Sequence, residues 1–361
     1  MVAFFAEYGL FLAKAVTVLA VALLIAGGVF ASASKGKKSL AGTINVKKLN
    51  DELDKMKKVI NHSVLSKDMI KLNEKEEKKD KKEEKKAEKK SKKATRKNKE
   101  SDLKAESKQS KKRVFVLDFH GDVRASQVEE LRNEITAVLM VANECDEIVL
   151  RLESPGGMVH TYGLASSQLE RIKRKNISLT ICIDKVAASG GYMMACLGDT
   201  ILAAPFAIVG SVGVVAQLPN FNRILKKNDI DYELFTAGEY KRTVTMMGEN
   251  TDKAKEKFQE ELDDTHVLFK EFVSSHRSQL DIDDIATGEH WYGIRAKDKK
   301  LIDKIMTSDE YLVDICRETD VYSVKYEKKK HVLDRVGLAA ESTVDRLFFK
   351  WLSRLQRQHI S

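Results

Sequence analysis

The chain carries three kinds of hydrophobic pattern in succession. Residues 15–34 contain no charge and are rich in Val, Leu, Ala and Ile, with Lys14 and Lys35 on either side. Residues 71–110 are Lys/Glu low complexity with almost no large apolar side chain. From Arg113 onward, short apolar runs alternate with helical periodicity. Residues 114–119 and 147–152 predict strands. Between them, residues 126–141 predict a helix with Val128, Leu131, Ile135 and Leu139 on one face. The second strand ends in Ser154-Pro155-Gly156-Gly157, and a helix runs on to about residue 175. Residues 177–183 predict a third, buried strand. It leads through Lys185-Val186-Ala187-Ala188-Ser189-Gly190-Gly191-Tyr192 into another helix. Residues 199–215 are apolar again. Asp199, Pro205 and several glycines there point to short core elements rather than a second membrane span. Further on, residues 232–235 predict a short strand. Residues 251–278 predict an amphipathic helix with Phe258, Leu262, Phe269 and Val273 on one side, and residues 288–305 a helical segment.

This strand–helix rhythm predicts an α/β fold with a largely buried sheet, whose ligand site lies beyond the carboxyl ends of the strands. Residues 15–34 have the length of a bilayer-spanning helix. A secretory signal peptide competes, because Ala31-Ser32-Ala33 resembles a cleavage site. No Lys or Arg precedes Lys14, however, and the apolar core is long for such a signal. Five organisational units follow: a membrane anchor (1–34), a membrane-proximal segment (35–70), a disordered Lys/Glu tether (71–112), an α/β domain (113–330) and a C-terminal amphipathic helix (331–361). Within the second, residues 44–65 suggest a helix near the membrane. Within the last, Val344, Leu347, Phe348, Trp351, Leu352 and Leu355 share a face flanked by Arg346, Lys350, Arg354 and Arg357. Such a helix docks on a subunit or lies on a membrane surface.

The net charge of +9 invites a nucleic-acid reading. Residues 71–100 alone carry 15 Lys/Arg against 8 Asp/Glu, so the basic balance belongs to the tether and not to a folded surface. No nucleic-acid partner is expected. Cys145, Cys182, Cys196 and Cys316 form no C-x-x-C pair and no zinc-ligand spacing. Cys182 and Cys196 lie in apolar surroundings, as buried thiols do.

The candidate chemistry centres on Ser189. It sits on a strand-to-helix turn next to two glycines, where a nucleophile and backbone donors can meet. Taken alone, a helix N-cap is the simpler reading. A nucleophile needs a base. None of the eight histidines lies in a Ser-His-Asp motif, and there is no Gly-x-Ser-x-Gly elbow. His160 is the histidine nearest a Gly-rich loop. A desolvated lysine is the other solution. Lys241 follows Gly238 and Tyr240 in a loop, but spacing alone does not select it. Lys185 is the nearest lysine to Ser189 in sequence and reads as an exposed loop residue.

Four motifs occur in order: Ser154-Pro155-Gly156-Gly157, Ala187-Ala188-Ser189-Gly190-Gly191-Tyr192, Gly210-Ser211-Val212-Gly213 and Tyr240-Lys241-Arg242. Together they are similar to those of the signal peptide peptidase A family, the S49 serine peptidases on a ClpP/crotonase-like fold. The resemblance implies Ser189 as nucleophile, Lys241 as general base and Ser211 as the residue orienting that lysine. It implies an oxyanion hole from the Gly157 and Gly190 N–H groups, and no metal or cofactor. ClpP itself uses a histidine, and the matching position here is Val214. One departure is Lys300, where the family usually has glycine before Leu301-Ile302-Asp303.

The implied function is a membrane-anchored serine endopeptidase cleaving short hydrophobic or unfolded peptides, such as signal-peptide remnants. Its implied partners are peptide substrates, membrane lipid through the N-terminal helix, and further copies of itself in a ring. The resemblance places it in the cell inner membrane with a periplasmic domain. Lys35, Lys37, Lys38, Lys47 and Lys48 instead favour a cytoplasmic one by the positive-inside rule. The alternatives are an idle scaffold on the same fold and an acyl-CoA enzyme of the crotonase type.

Overall fold

The computed structural model describes residues 42–66, 68–70 and 112–328, with Lys14 and Thr17. The chain divides into two compact units, of which Ile44–Tyr326 is one. The other, Met1–Thr43 with Glu327–Ser361, lies almost wholly outside the described residues. So do the expected anchor, tether and C-terminal helix. No helix among the described residues is long and apolar enough to cross a membrane.

The chain opens with β1 (Thr43–Lys48) and α1 (Leu49–Val64). Next come β2 (Arg113–His120), α2 (Val128–Leu139), β3 (Glu147–Glu153), α3 (Val159–Lys173) and β4 (Ser178–Ile183). These match the predicted rhythm within a residue or two at most ends. Short elements follow: β5 (Val186–Ala188), α4 (Gly190–Ala195), β6 (Thr200–Ala203) and β7 (Ile208–Gly210). Beyond them lie α5 (Asn222–Lys227), α6 (Asp252–His276) and α7 (Ile282–Ile285). The last are β8 (His290–Tyr292), α8 (Gly293–Asp298), β9 (Lys304–Ile305), α9 (Ser308–Ile315) and β10 (Asp320–Glu327).

The main sheet has seven strands in the order β1-β10-β2-β3-β4-β6-β9. Every pair from β10 to β9 is parallel. Both faces are covered, which is why its strands are continuous apolar runs rather than alternating ones. Phe115, Leu117, Phe119, Ile148, Leu150, Leu179 and Ile181 enter one core with Leu131 and Ile135 of α2 and Leu169 and Ile172 of α3. Val114, Val116, Val149 and Cys182 enter the other, against Leu312 of α9 and the half-buried Leu49 and Ile315. A second sheet, β5-β7-β8, stands at the carboxyl edge of the first.

Four local expectations change. Residues 44–65 were expected as one helix; the helix begins at Leu49, and Thr43–Lys48 is an edge strand. The small-residue turn before Ser189 contains β5, because Val186–Ala188 pairs with Ile208–Gly210. Residues 232–235 form no strand: apolar character alone does not make one when no neighbouring strand supplies a ladder. Residues 288–305 are strand, helix and strand rather than helix. Trp291 is drawn opposite Val209 in an antiparallel pair, and Gly293 starts the helix.

Candidate active site

The motif loops meet beyond the carboxyl ends of β3 and β5. Ser154 bridges Ala187, with Ser154 N–H donating to Val186 O (2.8 Å) and Ala188 N–H to Ser154 O (3.0 Å). On the other side, Ser189 N–H donates to Gly210 O (2.8 Å) and Ser211 N–H to Glu289 O (2.6 Å). Backbone pairing therefore places Ser154–Gly157, Ser189–Gly190 and Gly210–Ser211 side by side, although they are far apart in sequence.

Ser189 is the residue between β5 and α4. Its φ of 52° and ψ of −119° lie where a side chain rarely goes. Holding a non-glycine residue there costs on the order of 1–3 kcal/mol. The hydroxyl makes no capping bond to α4, so the N-cap reading fails on its own criterion. Ser189 is half-buried. Gly156, at φ 89°, packs so close that a Cβ there would lie 2.8 Å from both Gly190 N and the Ser189 Cβ. A Cβ on Gly190 would lie 2.5 Å from the Tyr162 ring. Both positions need the bare backbone.

The N–H groups of Gly157 and Gly190 meet no acceptor among the described residues. Gly190 N–H is the first of α4, and such groups face outward from a helix start. The Gly156 N–H, in contrast, is used: it donates to Ser154 Oγ (3.1 Å). Ser154 Oγ lies 2.6 Å from the Tyr162 hydroxyl, which donates to Asp122 O (2.8 Å). Ser154 and Tyr162 are both 0% exposed. Burial pushes the Tyr162 hydroxyl pKa up, which keeps it a neutral donor. Ser154 was part of a recognised motif, but nothing in the sequence pointed to Tyr162 or Asp122. Their link to the loop is purely tertiary.

Ser211 occupies a left-handed position (φ 53°) directly after β7. Lys241 is exposed, in an excursion between β7 and α6. Among the described residues its amine makes no hydrogen bond or ion pair, with Ser189 and Ser211 included. The excursion is tied to itself and to α6. Phe221 N–H donates to Met246 O (2.7 Å), Glu239 pairs with Lys253 (2.6 Å), and Lys257 lies 5.4 Å over the Tyr240 ring. It exposes large apolar side chains among its charged ones: Leu218, Ile224, Ile230, Leu234 and Phe235, the last at 87%. His160 is exposed on α3. Lys185 is exposed and pairs with Glu153 (3.0 Å). Cys196, at the end of α4, is buried, and burial pushes its thiol up to about 12, so it is no competing nucleophile. Among the described residues, no group of His, Cys, Asp and Glu is arranged to hold a metal ion.

Two family descriptions match the chain: Peptidase family S49 N-terminal over residues 3–169 and Peptidase family S49 over residues 171–321. The chain belongs to peptidase family S49. The chain is 47% identical over 352 residues, 97% of each chain, to the Probable protease SohB of Haemophilus influenzae. It is 55% identical over 228 residues to the Probable protease SohB of Buchnera aphidicola subsp. Acyrthosiphon pisum, covering 63% of this chain and 68% of that one. The corresponding protein of Buchnera aphidicola subsp. Schlechtendalia chinensis is 60% identical over 205 residues, 57% of this chain and 67% of that one. The two S49 matches meet inside α3, yet β2 and β3 on one side and β4 on the other belong to one sheet. Of the candidate residues, Gly157 lies in the first match, and Ser189, Ser211 and Lys241 in the second.

Proposed function

We propose that this S49 chain is a serine endopeptidase with a Ser189–Lys241 dyad. The observation that carries the reading is Ser189 at φ 52°, uncapped, with the N–H groups of Gly157 and Gly190 finding no acceptor among the described residues. Ser189 Oγ attacks a peptide carbonyl while neutral Lys241 takes its proton. The oxyanion is held by Gly157 and Gly190 N–H, each worth roughly 3 kcal/mol in the transition state. Lys241 then protonates the leaving amine, and water activated by the same amine releases the acyl group from Ser189.

A neutral lysine must be desolvated, and Lys241 is exposed in the single chain. The exposed apolar surface of the excursion supports a second copy covering it in a ring, with Lys241 meeting Ser189 within or across subunits. Residues 15–34 anchor the chain in the cell inner membrane, with the catalytic domain in the periplasm. The substrates are short hydrophobic or unfolded peptides, including signal-peptide remnants. The exposed Lys241 also suits a second reading, an idle scaffold on this fold. A fluorophosphonate probe separates the two. Labelling of the assembled protein that disappears in Ser189→Ala supports the peptidase. A folded, assembled protein that takes no label is the scaffold.

A further inference from the structure

We propose that Tyr162 and Ser154 are positioning residues that set the oxyanion donor at Gly157. The proposal rests on the peptidase reading of Ser189 and adds the device that holds its loop. The hydrogen-bond directions follow from counting protons. A backbone carbonyl only accepts, so the Tyr162 hydroxyl spends its one proton on Asp122 O. The 2.6 Å contact with Ser154 is then made by the Ser154 proton. Ser154 Oγ keeps a lone pair for the Gly156 N–H at 3.1 Å. One directed chain runs from Gly156 N–H through Ser154 and Tyr162 to the carbonyl of Asp122. Each link polarises the next.

This chain acts on the peptide that matters. Gly156 is at φ 89°, a conformation glycine leaves at little cost. Anchoring the Gly156 N–H leaves the next N–H, that of Gly157, without an acceptor and free for an oxyanion. Tyr162 holds the other donor as well, since its ring fills the space where a Gly190 side chain would be. One side chain thus touches both halves of the hole: its hydroxyl reaches the Gly157 loop and its ring the start of α4. The ring is fixed from behind by Phe119, edge-on with centroids 6.5 Å apart. Tyr162 touches no substrate; it acts through Gly157 and Gly190.

The test uses the full-length protein in detergent micelles and a fluorophosphonate probe. Its phosphonyl oxygen takes the oxyanion's place. Tyr162→Phe keeps the ring against Gly190 and removes the directed chain. The expected result is a maximal labelling rate about tenfold lower, with the half-saturating probe concentration within twofold of wild type. Ser154→Ala is expected to give a similar loss, and the double variant no more than either alone, because the two act as one unit. A role in stability alone would lower the melting temperature and leave the maximal rate per labelled site unchanged. An unchanged rate in Tyr162→Phe, or additive losses in the double variant, overturns the proposal. If Tyr162→Phe does not fold, Ser154→Ala alone decides by the same rate. Absence of wild-type labelling, or labelling that survives Ser189→Ala, overturns the peptidase reading and this proposal with it.

Discussion

Lys300 stands at φ 62°, in a left-handed turn between α8 and the β9 strand. This is the position where the family pattern expects glycine. The backbone strain of a lysine there exceeds the chain-entropy cost of glycine by a small margin. Lys300→Gly is expected to stabilise the protein by about 0.5–1 kcal/mol, seen as a higher urea midpoint. Its carbonyl still accepts from the buried Arg277, so the Arg277–Asp303 pair is untouched.

Glu134 gives a pH-dependent case. It is 4% exposed on α2 and accepts from Tyr326 N–H, while burial, with Asp118 and Glu130 nearby, raises its pKa from 4.5 to about 7. The fold therefore favours the neutral acid. Its contribution is full below pH 4.5, falls as the pH rises to 7, and is flat above. Glu134→Gln keeps an acceptor for Tyr326 and cannot ionise. It is expected to gain about 1–3 kcal/mol over wild type at pH 8 and nothing at pH 4, by chemical denaturation at both pH values. Neither Glu134 nor the Tyr162 link was legible in the sequence. Both depend on which side chains the fold brings near.

Among the elements, helices with a clean apolar period were the most legible. In α2, Val128, Leu131 and Ile135 are buried as the spacing predicts. In α6 only Phe269 and Val273 are buried, and Phe258 and Leu262 of the predicted stripe are half-buried among the described residues. Short strands were the least legible, because three residues carry no period. β5 and β8 exist only through their pairing with β7. Residues 43–48 contribute β1 to the main sheet, and Asn50 secures the start of α1. Its side chain donates to Cys316 O and Thr319 O and accepts from Val321 N–H. Asn50→Ala is expected to lower the unfolding free energy by about 1–3 kcal/mol, since it strands two carbonyls and one N–H. The loss should appear as faster hydrogen exchange, largest in α1 and at the start of β10 and smaller in β3 and β4.

At the scale of the whole molecule, Ser189 and the loops of Gly157 and Gly190 come together within one chain, and Lys241, the proposed base, stays exposed. Phe235→Asp places a charge on the apolar face of the excursion. It is expected to dissociate the proposed ring, read by sedimentation, and to reduce probe labelling at least tenfold. A dissociated variant that labels at the wild-type rate would show that Lys241 acts within its own chain. By itself the sequence determined the alternating α/β order, the two-sided burial of β2 to β4 and the three Gly-rich loops, because periodicity and small-residue turns are local properties. The tertiary structure alone decided that β10 enters between β1 and β2, that Ser189 is strained and uncapped, and that the Tyr162 hydroxyl meets Ser154. Those outcomes depend on contacts between residues distant in the chain, and no local pattern encodes which partner a buried hydroxyl or a strand edge will find.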